Sequence, residues 1–106
     1  MAIVEIPVRS DLPAYQFGID LDGVNFKFSF RFNTRMGRWL WDILDTEENP
    51  ILMGVPLLVN LDLIGRYKIE ELPLGSFICI NETGTSNNPG RYDLGNNVKL
   101  LYEEAL

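Results

Sequence analysis

The sequence predicts a small all-β fold: an antiparallel β-barrel or sandwich of about six to seven short strands, with at most one short helix. Three observations carry this. Phe26, Phe28, Phe30 and Phe32 recur at every second position with Lys27, Ser29 and Arg31 between them, and a period of two places all four rings on one face of a strand. Asp22-Gly23 separates two alternating segments by two residues, the strongest short signal for a β-hairpin. Turn-forming residues then recur at close intervals with no long helical pattern between them, which argues against a βαβ sheet. With 106 residues, the chain is expected to form a single β domain over residues 1–106.

The elements follow in order. Tyr15, Phe17, Ile19 and Leu21 alternate with Gln16, Gly18 and Asp20, so the first strand presents one apolar face. Asp22 and Gly23 suit the φ > 0 that a type I′ turn requires at both central positions, and the predicted hairpin runs from Tyr15 to Phe32. Asp20-x-Asp22 begins a calcium-loop pattern, but the remaining ligands are absent and the tight turn leaves them no room. After a short turn from Asn33 to Gly37, Arg38 to Asp45 reads as a third strand, antiparallel to the second, with Trp39 and Trp41 on the core face. A polar turn, Thr46 to Pro50, leads into an extended piece, Ile51 to Pro56, whose Gly54 and Pro56 point to an edge, bulge or bend.

Leu57 to Tyr67 has two readings. Leu57, Leu58, Leu61 and Ile64 fit a short helix closed at Gly65, or the region is strand plus turn. Leu72-Pro73-Leu74-Gly75 is a turn, with Gly75 as a turn position. Ser76 to Glu82 is a strand of continuous apolar character, expected to be covered on both faces. Asn81 to Gly90 is rich in small polar residues, Gly and Pro, and is expected to be an exposed connection. Asn81-Glu82-Thr83 matches a glycosylation sequon without any other sign of secretion. Gly95 is a second turn glycine, and Val98 to Glu103 is the final strand.

Composition narrows the function. Lys and Arg number 9 against 15 Asp and Glu, a net charge of -6, which opposes general nucleic-acid binding because phosphate neutralisation needs a basic surface. The chain contains no His, so Ser-His-Asp and Cys-His catalysis and most zinc sites are excluded. The single Cys79 lies in the apolar run Phe77-Ile78-Cys79-Ile80 and reads as a small buried hydrophobe. Neither a targeting segment nor an apolar run of spanning length is visible, and no membrane insertion is expected.

Catalytic patterns are weak. Glu47-Glu48, Glu70-Glu71 and Glu103-Glu104 are adjacent pairs, and neighbours in an extended chain point to opposite faces. Gly84, Gly90 and Gly95 lack the helix and Lys of a phosphate loop. The positive charge is nonetheless clustered. Arg31, Arg35 and Arg38 surround the second turn, and Arg91-Tyr92-Asp93 forms a further group. These read either as solvated turn residues and a turn anchor, or as a docking edge for an acidic partner, since Arg forms bidentate pairs with carboxylates and Arg and Tyr are enriched at interfaces.

Taken in order, the short pieces Leu12-Pro13-Ala14-Tyr15-Gln16-Phe17, Leu21-Asp22-Gly23, Phe30-Arg31-Phe32-Asn33-Thr34-Arg35, Trp39, Trp41, Asp42, Gly54-Val55-Pro56-Leu57, Leu72-Pro73-Leu74-Gly75, Arg91-Tyr92-Asp93-Leu94-Gly95 and Leu100-Leu101-Tyr102 resemble the baseplate plug family of contractile-tailed phages, known from a cyanophage baseplate and from prophages. Their order and spacing over nearly the whole chain carry the resemblance. It implies a virion structural protein of the tail baseplate, present in the bacterial cytoplasm before assembly. It also implies no enzymatic activity and no cofactor, with hub, tail-tube or other baseplate proteins as partners and oligomerisation only in the assembled tail. On this reading Asp22 and Gly23 form the hairpin turn, and Phe26, Phe28, Phe30, Phe32, Trp39 and Trp41 form the core. Arg31, Arg35, Arg38, Arg91 and Tyr92 are the candidate interface. Two alternatives remain: a ligand- or carbohydrate-binding module using an exposed Trp39 or Trp41, and a carboxylate-dependent cell-wall hydrolase.

Overall fold

The structure is a computed structural model that describes residues 3–65, 67, 69–85 and 87–104. Its strands are β1 (Ile3–Ile6), β2 (Ala14–Leu21), β3 (Val24–Asn33), β4 (Arg38–Leu44), β5 (Pro50–Pro56), β6 (Ser76–Asn81) and β7 (Val98–Glu103). They form two antiparallel sheets of order β2-β3-β4-β5 and β1-β7-β6. The inner faces of both contribute to one hydrophobic core, so of the two architectures expected the chain adopts the open sandwich. A helix is absent among the described residues.

The first hairpin forms as its turn chemistry dictates. Leu21 pairs with Val24 across Asp22 and Gly23, which adopt φ of 52° and 81°. The register then runs unbroken to Ala14 opposite Arg31. β3 continues the sheet onto β4, with Phe30 opposite Trp41 and Phe32 opposite Trp39. The β4–β5 pairing is interrupted by register shifts, and Gly54 takes a φ of 72° there, as expected of a bulged edge strand.

The core is aromatic. Phe28, Phe30, Trp39, Trp41, Phe77 and Tyr102 are fully buried, and Phe26 nearly so. Phe77 reaches across from the smaller sheet, its ring 4.7 Å from Trp41 and 5.8 Å from Phe28 in edge-on geometry, an arrangement that the ring quadrupoles favour. Phe32, expected with the other three Phe, is only half-buried and packs edge-on against Trp39 near the end of the sandwich.

Three features differ from the sequence reading. β1 is an additional strand, paired along β7 with Ile3 opposite Glu103. Of the two readings for Leu57 to Tyr67, the described residues form no helix and follow the strand-plus-turn alternative only as a single bridge. Val59 bridges to Cys79, and the amides of Asn60 and Leu63 donate to the carbonyls of Cys79 and Phe77. The segment is thus a flap of turns and bends along β6 that buries Leu57, Val59, Leu63 and Ile64 while Leu61 stays exposed. Finally, β6 is not covered on both faces. Phe77 and Cys79 point inward, whereas Ile78 and Ile80 are each 37% exposed, because no third layer lies over the smaller sheet.

A polar clasp ties the sheets together. The Tyr102 hydroxyl on β7 donates to the Asp22 carboxylate at 2.5 Å and accepts from the Gly75 amide at 2.8 Å. Burial, reinforced by that carboxylate, pushes Tyr102 up to about 12. Burial likewise pushes Tyr15 and Cys79 up to about 12. Each group ionises later folded than unfolded, so its contribution is complete below the ordinary value and drains away as pH rises toward the folded one. Stability is therefore expected to fall from about pH 9 for the thiol and pH 10 for the two phenols up to about 12. Phenolate absorbance compared among Tyr15→Phe, Tyr102→Phe and the parent chain measures this. Ionisation of both tyrosines near pH 10 in the folded state would contradict it.

Candidate functional site

One end of the sandwich gathers much of the positive charge. The turn between β3 and β4 is set by Asn33, whose carbonyl accepts from Gly37 at 2.8 Å and whose side chain accepts from the Met36 amide at 3.0 Å. This projects Arg35 and Met36 into solvent, with Met36 55% exposed. Arg38 follows at the start of β4 and is half-buried. Neither Arg35 nor Arg38 forms an ion pair among the described residues.

The second cluster joins the same end through Trp39. The indole N–H donates to the Gly90 carbonyl at 2.8 Å, which seats the 90–97 loop over β4. Within that loop Gly90 donates to Asp93 at 2.8 Å, the local turn anchor foreseen for Asp93. The Arg91 guanidinium donates to the Ser10 carbonyl and lies 5.9 Å from the Trp39 ring and 4.6 Å from the Tyr92 ring. Asn96 donates to the Tyr92 carbonyl and to the Ser10 hydroxyl at 2.7 and 3.1 Å. The loop is thereby latched onto the segment before β2, bringing Arg9 and Asp11 to this end. Their exposed side chains pair with each other, and hydrogen bonding from Arg9 holds Asp11 below the ordinary carboxylate range.

The five candidate residues therefore divide. Arg35 is exposed and Arg38 half-buried, and neither is paired with a carboxylate among the described residues. Tyr92 is 71% exposed, with Arg91 over its ring. Arg91 itself is a latch, committed to Ser10 and two aromatic rings. Arg31 is committed elsewhere: its guanidinium pairs with Asp42, which is only 4% exposed and also accepts from the Gly54 amide at 2.8 Å. Its job is to neutralise a buried carboxylate beside the β5 bulge, where the cost of removing one partner is high. Sequence reasoning missed that pairing, although the alternation of β3 and β4 places both residues on the outer face. It also missed Arg9, Leu12 and Met36, which have no local signature of belonging to this end.

The remaining chemistry is sparse. Trp39 and Trp41 are completely buried, which overturns the expectation of an exposed indole platform for sugars. Among the described residues no group of three or more His, Cys, Asp or Glu is arranged to hold a metal ion. Among the described residues no helix is long and apolar enough to cross a membrane.

Residues 3–105 match the family model described as cyanophage baseplate Pam3 plug gp18. The chain belongs to this baseplate plug family. No curated protein matches it. Within the plug family match fall both strands that close the smaller sheet and the whole cationic end, so the resemblance read from scattered short pieces covers one continuous fold.

Proposed function

We propose that the chain is a non-enzymatic structural component of a phage or prophage tail baseplate, associated with plug and hub, that works through protein–protein contacts. It docks a hub, tail-tube or other baseplate neighbour through the cationic end formed by Arg35, Arg38, Met36 and Tyr92. The family match over residues 3–105 carries the reading, and the composition of this end supports it. Arg, Tyr and Met are the residues enriched in interface centres. The chain as a whole carries a net charge of -6, so a local cationic surface orients it toward an acidic partner while the rest of the molecule repels one.

Arg35→Glu with Arg38→Glu tests this. Neither side chain forms an ion pair among the described residues, so the variant is expected to fold normally and to fail to enter tails assembled from the surrounding genes. Normal incorporation of the folded double variant would overturn the docking surface. Arg31 is unsuitable for such a test, because Arg31→Glu would set two carboxylates against each other at Asp42.

A further inference from the structure

The four sheet edges differ in how they are guarded. β1 is only 4 residues long. β5 begins and ends on Pro50 and Pro56 and is bulged against β4. β6 is covered by the 57–63 flap. These are recognised ways of blunting an edge against further pairing. β2 has none of them. It is 8 residues long, unbroken in register, and pairs with β3 alone among the strands.

The register identifies which of its groups are bare. A two-residue turn makes Leu21 and Val24 a hydrogen-bonded pair, and hydrogen-bonded and non-bonded pairs alternate from there. Ile19, Phe17 and Tyr15 therefore bond to β3, and the pattern holds one step further, where Phe32 donates to Pro13 at 2.8 Å. Ala14, Gln16, Gly18 and Asp20 consequently direct their amide N–H and C=O outward, where no other strand or flap among the described residues takes them up. On the inner face beside them, Tyr15, Phe17 and Ile19 remain only half-buried, a row that one more strand would cover.

We propose that β2 pairs with β2 of a second copy of this chain, antiparallel, about a two-fold axis at Gly18. The edge is self-complementary in that register. Gly18 faces Gly18 of the second copy. Gln16 faces Asp20 of the second copy, which keeps the two Asp20 apart; the Gln16 amide, which donates to Glu48 at 3.3 Å within the chain, has a second N–H for that carboxylate. Phe17 lies beside Ile19 of the second copy, which extends the apolar row. The pairing joins two four-stranded sheets into one of eight strands and is an isologous contact that closes on itself. It is read on the isolated chain and does not depend on the baseplate role.

Cysteine cross-linking of the purified chain tests both the contact and its register. Gly18 tolerates the change, since an added Cβ would meet only the Phe26 carbonyl oxygen at 3.8 Å, and Cys79 is buried. Hydrogen-bonded antiparallel partners have Cα atoms about 5.5 Å apart, within disulfide range. Gly18→Cys is expected to form a covalent dimer under mild oxidation about tenfold faster than Met53→Cys on the β5 edge, as pairing raises the effective concentration of the thiols. Gln16→Cys and Asp20→Cys should each form no covalent dimer alone and cross-link when mixed. Equal rates for Gly18→Cys and Met53→Cys would overturn the proposal, as would cross-linking of Gln16→Cys by itself. So would an isolated Gly18→Cys chain that stays monomeric while its thiol becomes shielded only in assembled tails, which would assign the edge to a strand of a different protein.

Discussion

Trp41→Ala is expected to destabilise the fold by about 4 kcal/mol, near the upper end for loss of a buried aromatic. Trp41 is fully buried at the contact between the sheets. Its ring stacks on Phe30 and meets Phe28 and Phe77 edge-on at 5.1 and 4.7 Å. Alanine would leave a cavity walled by rings from both sheets, which cannot collapse without moving the sheets themselves. Trp41→Phe separates packing from polarity. The Trp41 indole N–H is buried without a hydrogen-bond partner among the described residues, and an unpaired buried donor costs about 1–3 kcal/mol. Phenylalanine removes that donor while keeping most of the ring, so its net cost is expected to stay below about 1.5 kcal/mol. Urea unfolding followed by circular dichroism measures both variants. Equal destabilisation by Phe and Ala would show that the indole's shape, and not its bulk alone, sets the core.

Gly75→Ala is the second large expected effect, about 3 kcal/mol. Gly75 does not have a positive φ; its role is close approach. An added Cβ would lie 2.0 Å from the Glu103 carbonyl oxygen and 2.7 Å from the Tyr102 ring. Neither neighbour can yield cheaply, since one is strand backbone and the other holds the hydroxyl clasp to Asp22 and the Gly75 amide. Gly95→Ala combines two costs: a φ of 83° and a Cβ 2.5 Å from the Val8 carbonyl oxygen. Gly23→Ala provides the contrast. Its φ of 81° imposes strain, but open space surrounds the added methyl, so a loss of about 1 kcal/mol is expected. Comparable denaturation midpoints for Gly75→Ala and the parent chain would mean that the β6–β7 end is far more yielding than its packing indicates.

Both glycines illustrate what could be read from the chain. Gly75 and Gly95 stood out as turn positions, which Gly95 is by conformation. The contact that makes Gly75 irreplaceable comes from β7, late in the sequence, and has no local trace. The docking end shows the same division. Clustering of Arg31, Arg35 and Arg38 was visible, yet period two also put Arg31 on the face of β3 where Asp42 waits on β4. Only the three-dimensional pairing separates the committed guanidinium from the two that remain available. Exposure of Tyr92 and burial of both Trp likewise depend on which loop covers which sheet end.

The sequence by itself determined three strands of the larger sheet and their order nearly to the residue, and the extent of the fourth without its partner. Asp22-Gly23 between two alternating segments favours a tight reversed turn, and period-two alternation then pins the register, because a slip by one would turn Phe26, Phe28 and Phe30 toward water. It also determined the aromatic core and an irregularity at Gly54, which pairing with β4 made a bulged edge. Tertiary structure alone decided the rest. β1 is a strand because β7 lies beside it, the 57–63 flap lies along β6 because β6 offers its carbonyls, and Ile78 and Ile80 are exposed because nothing among the described residues forms a third layer. The physical reason is common to all three. Local patterns encode backbone conformation and the alternation of faces, whereas pairing between distant segments depends on hydrogen-bonding groups and apolar surface that every strand possesses alike.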